Sequence, residues 1–198
     1  MDGPVIRRQY FCICAGQQEE MYLKHLSRLL KTGRRVITFN IKKDTPNIIK
    51  KRRHIHYDKA ILFDHDGNTE EFCKALRACA DAKCSHAFSN RNFDLWLLLH
   101  KPNFTSCVSD NRAYVKHIRD AFGLDNTSNI KSSGSMDRIL EQIELSDVKT
   151  AIRHAQFIRS QKLPQDAKRV GKTSYFDNPD LSIHEFIVKV FSECGETI

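Results

Sequence analysis

The chain has 198 residues, 32 Lys and Arg against 24 Asp and Glu, and 40% hydrophobic residues. That length suits one well-packed domain. The apolar content is too high for a disordered chain, and no apolar run nears the roughly 18–20 residues of a membrane span. The net charge of +8 is local, because Lys31 to Arg53 holds nine basic residues and one acid, Asp44. Such a patch suits a polyanion partner, or is a solvated basic loop.

The start, Met1-Asp2-Gly3-Pro4 followed by Arg7-Arg8, does not read as a signal peptide. Seven cysteines, an odd number with no C-x-x-C pair, fit reduced thiols in a cytoplasmic protein better than disulfides or a zinc site. Tyr10 to Cys14 reads as a buried strand, with Cys12 and Cys14 on one face. Gln18 to Leu30 has helical spacing and Gly33 ends it. Val36 to Ile41 is a second strand, Thr45 to Arg53 is ambiguous, and Ala60 to Phe63 is a third strand closing on Asp64. Thr69 to Ala82 is a helix, and Ser85 to Phe88 a fourth strand.

This alternation predicts an α/β fold with a mostly parallel central sheet flanked by helices. Functional residues then collect at the carboxyl ends of the strands, here Ala15-Gly16, Asp64-His65-Asp66 and Ser89-Asn90. The second half reads as helical, over Asn92–His100, Asn111–Phe122, Met136–Ile143, Asp147–Lys162 and Ile183–Phe191, with Leu163 to Asp180 as loop. The expected organisation is one domain over 1–198, with an α/β core at 1–90 and a helical extension at 91–198.

Asp64-His65-Asp66 is the strongest chemical signal. Two carboxylates held together attract a hard divalent cation, which takes one or two protein carboxylates and fills its shell with water and phosphate oxygens. The bland alternative is a turn through Asp66-Gly67-Asn68. Ser89-Asn90-Arg91-Asn92-Phe93-Asp94-Leu95-Trp96-Leu97-Leu98-Leu99-His100 combines an acid, the single tryptophan and a terminal His on one apolar helix. Its alternative reading is a core helix with Asp94 favoured near the positive N-terminal end.

Ser89-Asn90 with Phe93-Asp94-Leu95-Trp96 and His100 resembles the S-N-x-x-F-E-x-W-x-L-x-H-like signature of the RloB family. Cys14-Ala15-Gly16, with Glu19 and Tyr22-Leu23, is similar to that family's C-E-G-E-x-x-E-x-x-Y-F-like opening. Phe63-Asp64-His65-Asp66 resembles its F-D-x-D, and Asn178-Pro179 leading into Ile183 its C-terminal N-P-S-T-x-V helix. The resemblance implies a Toprim-like nuclease with Mg²⁺ (or Mn²⁺) held by Asp64, Asp66 and a Glu after the first strand. That Glu falls on position 15, where this chain has Ala15. Gln17 stands where many members have a second acid, and Asp94 where they have Glu.

Two accounts of Ala15 stay open. One is a natural loss that leaves a binding or regulatory subunit. The other is a deliberate Glu→Ala substitution in a toxic nuclease, favoured by the intact Asp pair. The resemblance further implies a cytoplasmic antiphage effector acting with an ATPase partner, with RNA, tRNA in particular, as substrate. DNA is the alternative substrate, a homodimer is allowed, and no membrane is involved. In that reading Asp94 assists the metal site, and His65 or His100 orients substrate or supplies a proton. Lys42, Lys43, Lys50, Lys51, Arg52, Arg53 and Lys131 contact phosphate.

Overall fold

The computed structural model describes residues 5–31, 35–44, 46, 48–49, 57–103 and 111–198. The elements run β1 (Ile6–Cys14), α1 (Gln17–Leu30), β2 (Arg35–Lys43), β3 (Asp58–Asp64), α2 (Thr69–Ala82), β4 (Ser85–Asn90) and α3 (Phe93–Leu98). There follow α4 (Asn111–Phe122), α5 (Ser133–Leu140), α6 (Leu145–Ser160), β5 (Lys168–Val170), β6 (Thr173–Tyr175), β7 (Asp180–Leu181) and α7 (Ile183–Cys194).

The expected parallel sheet is present. Its order is β2-β1-β3-β4-β7, parallel from β2 to β4 and antiparallel only where β7 joins β4. The chain leaves β1 for β2 on one side and reaches β3 on the other. The carboxyl end of β1 is therefore the point where the strand order reverses and a crevice opens.

The period of two along each strand sorts side chains to two cores. Tyr10, Cys12, Cys14, Ala60, Leu62 and Ala87 face a large core that includes residues of α1 and α3 to α7. Ile13, Ile61, Phe63 and Phe88 face a smaller one with α2 and the β5–β6 hairpin. Helix α2 starts where Asn68 accepts a hydrogen bond from the Glu71 amide at 3.2 Å, a cap worth about 1 kcal/mol.

Three expectations need correction. Strand β1 begins at Ile6, because Arg7 to Gln9 pair only with β2 and carry exposed polar side chains that apolar content does not reveal. The stretch from Leu163 to Asp180 is not all loop: it holds β5, β6 and β7, each too short to show an alternating pattern. Residues 91–198 are also more than a helical extension, since β7 lengthens the sheet and α7 covers it.

Candidate functional site

At the reversal point lies an open cavity of about 570 Å³. Its lining includes Ala15, Gly16 and Glu19 from the β1–α1 junction, Asp64, His65 and Asp66 after β3, the first turns of α2, and Lys131. The Ala15 amide donates to the Leu62 carbonyl at 3.0 Å, so the strand ladder continues one residue past β1. The side chain at position 15 thereby lines the cavity.

The turn after β3 is fixed by its neighbours. The His65 amide donates to the Ser89 carbonyl at 3.1 Å, and the Asp66 amide to the Arg91 carbonyl at 3.0 Å. Asp66 has φ +46° and Gly67 φ +76°, the left-handed region that Asp and Gly tolerate best. His65 Nδ1 accepts the Gly67 amide at 3.1 Å, so the ring proton sits on Nε2 and is donated to the Thr69 hydroxyl at 3.2 Å. Both ring nitrogens thus brace the Asp-His-Asp turn at the wall of the cavity.

Asp64 is half-buried, and its carboxylate accepts the Phe93 amide at the start of α3. Burial, then the negative charges of Glu19 and Asp66, raise its pKa well above the ordinary carboxylate value. Asp94 is buried and also raised, first by burial, while a hydrogen bond from Gln18 Nε2 at 3.1 Å and the charge of Lys131 oppose the shift.

Glu19 joins this group from α1, which spacing along the chain did not suggest. It sits in the first turn, is 3% exposed, and is pushed up to about 7 by burial and by the charges of Asp66 and Asp94, against the pull of its own amide and Lys131. A Cβ on Gly16 would meet Glu19 Oε2 well inside van der Waals contact, so a larger residue there would displace the Glu19 carboxylate. A signal was available: in a strand–turn–helix unit the first helical turn passes over the strand's end.

Four carboxylates, from Glu19, Asp64, Asp66 and Asp94, therefore act on one another at the sheet's carboxyl edge. Lys131 is a cation whose charge reaches both Glu19 and Asp94. Among the described residues no three His, Cys, Asp or Glu side chains already gather as a metal-holding cluster.

The other singled-out residues lie elsewhere. Phe93 and Trp96 are core residues, and each meets the Tyr22 ring edge-on. His100 is 1% exposed, with Nε2 on the Tyr22 hydroxyl at 3.1 Å and Nδ1 on the Trp96 carbonyl at 2.9 Å. It stands apart from the cavity and pins α3 to α1, so its expected catalytic place is corrected. Ser89 is buried, and Asn90 Nδ2 donates to the Phe176 carbonyl at 2.9 Å.

Of the basic stretch, Lys42 pairs with Asp44 at 3.1 Å and Arg35 with Glu196 at 2.6 Å, while Lys43 is exposed at the end of β2. Lys50, Lys51, Arg52 and Arg53 lie outside the described residues.

The family described as RloB-like protein matches residues 10–190. No curated protein and no solved structure gives a significant match. No helix among the described residues is long and apolar enough to cross a membrane.

Proposed function

The chain belongs to the RloB-like family, and from that premise we propose that it is the Toprim-like nuclease arm of a bacterial antiphage system, acting on RNA with tRNA foremost. The observation that carries this reading is that Glu19, Asp64 and Asp66 line one cavity where the strand order reverses, with Asp94 buried beside it. An all-carboxylate donor set, in which burial and the neighbouring negative charges raise the pKa values of Glu19, Asp64 and Asp94, fits a hard divalent cation such as Mg²⁺ or Mn²⁺. Asp64 and Asp66 would hold it, with Glu19 the third carboxylate of the same cavity. When bound, the cation would neutralise phosphodiester charge and lower the pKa of an attacking water.

The chain's own groups divide the remaining work. Lys131 balances negative charge across the cavity and is placed for a phosphate oxygen. The Phe93 amide and Gln18 hold the carboxylates of Asp64 and Asp94 in orientation. The basic residues from Lys42 to Arg53 would follow the RNA backbone. Ala15 leaves the cavity without the glutamate the family pattern expects, so cleavage by this chain is weak or lost. That single residue also supports the second reading, an inactive Toprim-like subunit that serves a partner ATPase.

The deciding experiment compares the unaltered protein with Ala15→Glu on total tRNA and on DNA, with Mg²⁺ or Mn²⁺ and with EDTA. Metal-dependent RNA cleavage confined to Ala15→Glu supports the nuclease. Equal cleavage by both proteins removes position 15 from the site. No cleavage by either, with capture of the ATPase encoded beside it, supports the binding subunit. Cleavage of DNA alone replaces the substrate class.

A further inference from the structure

Helix α2 ends in a Schellman arrangement. Lys83 is left-handed at φ +50°, its amide donates to the Ala80 carbonyl at 3.2 Å, and the Cys84 amide donates to the Cys79 carbonyl at 3.1 Å. This turn brings together the side chains five residues apart that flank it, usually as an apolar contact. Here both are cysteines, and both are free thiols. Cys84 Sγ reaches back to the Cys79 carbonyl at 3.6 Å.

The two thiols differ in access. Cys79 is buried, whereas Cys84 is half-buried and lines a small surface cavity of about 170 Å³ with His86 and Glu185. The hydrogen bond from Cys79 and the charge of Lys59 hold the Cys84 thiol below its ordinary pKa, against the effect of burial. Burial instead raises Cys12 and Cys14, which lie inside the large core. The thiolate is the reactive form, so an accessible low-pKa thiol beside a second thiol is the usual arrangement of a redox pair.

We propose that Cys79 and Cys84 form a redox-modification site that closes to a disulfide in the presence of a hydroperoxide. The Cys84 thiolate attacks one peroxide oxygen, forming an S–O bond and breaking O–O; the sulfur is oxidised to sulfenic acid and hydrogen peroxide is reduced to hydroxide. The Cys79 sulfur then attacks Cys84, the S–S bond forms, S–O breaks, and the thiol proton leaves with the hydroxyl as water. Over both steps two thiols and one hydrogen peroxide give one disulfide and two waters. A thiol reductant reverses the modification by exchange. Neither cysteine belongs to the carboxylate cavity, so the site stands whether or not the chain is a nuclease.

The test uses the native full chain, treated with hydrogen peroxide, quenched with N-ethylmaleimide and digested with trypsin. Cleavage after Lys83 parts the two cysteines into peptides Ala78–Lys83 and Cys84–Arg91. The expected product is these two peptides linked, lighter than their sum by two hydrogens and separated by dithiothreitol, formed before Cys12 or Cys14 is oxidised. In Cys84→Ser the linked pair disappears and Cys79 stays reduced. Over-oxidation of Cys84 with Cys79 still alkylated, earlier crosslinks elsewhere, or unchanged oxidation of Cys79 in Cys84→Ser each overturns the proposal.

Discussion

Replacing His100 by Gln should make the stability of the chain less sensitive to acid. Nδ1 faces the carbonyls of Trp96 at 2.9 Å and Leu97 at 3.2 Å, so it carries the ring proton and donates it. Nε2 then accepts from the Tyr22 hydroxyl at 3.1 Å. Burial, with a smaller push from His25, lowers the pKa to about 4 despite the two carbonyls and Asp147. The unfolded imidazole titrates near 6.5, so between those values the unfolded chain binds a proton that the folded chain refuses. The contribution is fully present above pH 6.5 and is lost as pH falls toward 4. Each pKa unit is worth about 1.4 kcal/mol, and at pH 5 the loss reaches about 2 kcal/mol.

Urea denaturation at pH 7 and pH 5 measures this. His100→Gln gives up buried hydrogen bonds worth about 1 kcal/mol each, so it starts less stable at pH 7. Its further loss on going to pH 5 should be smaller than that of the unaltered chain by about 2 kcal/mol. The other buried histidines contribute equally to both proteins and cancel. Equal losses in the two proteins, or a His100 imidazole resonance titrating near pH 6.5, would refute the reasoning and make His100 a candidate proton carrier again.

Glu19 has the opposite sign. Its folded pKa of about 7 lies above the ordinary 4.5, so stability falls as pH rises between the two. Glu19→Gln should stabilise the metal-free chain at pH 8 by up to about 3 kcal/mol and give no gain at pH 4; an unchanged urea midpoint at pH 8 contradicts this. Gly16→Ala should leave the fold intact, because the obstructing atom is the tip of a flexible side chain, but should displace Glu19. In the Ala15→Glu background it should then reduce the rise in Tm on adding Mn²⁺, and an unchanged rise argues that Glu19 does not serve the cavity. Substituting Lys50, Lys51, Arg52 and Arg53 with Ala should lower the salt slope of single-stranded RNA binding by about 0.7 for each phosphate no longer neutralised; an unaltered slope leaves that stretch a solvated loop.

The sequence exposes some of this architecture better than other parts. β3 and β4 are short apolar runs with clear stops, and α1 and α2 repeat their apolar residues at helical spacing, so their order already implies a parallel sheet. β5 to β7 escape because two or three residues carry no period. The carboxylates divide the same way. Asp64 and Asp66 are legible because one ends a strand and the other opens the turn after it, whereas Glu19 reaches them only through the way α1 folds back over β1. Asp94 sits in the first turn of α3, whereas His100 lies past the end of that helix, which stops at Leu98. Asp94 is buried beside the cavity, held by Gln18, and His100 is buried against Tyr22.

Helix α7 is synthesised after every other described element, yet it holds the earliest ones together. Glu193 accepts from Tyr10 of β1 at 2.5 Å, Lys189 pairs with Asp58 of β3 at 2.8 Å, and Glu196 just beyond it pairs with Arg35 of β2 at 2.6 Å. Its Phe186, Ile187, Val190 and Phe191 close the sheet face that carries Cys12, Leu62 and Ala87. A nascent chain therefore leaves the part of that face under α7 uncovered until α7 is made, with pairings between residues far apart in sequence still to form. The carboxylates leave the ribosome early but are held in register late. Synthesis of α7, rather than the appearance of the acidic residues, sets when the cavity becomes a fixed site.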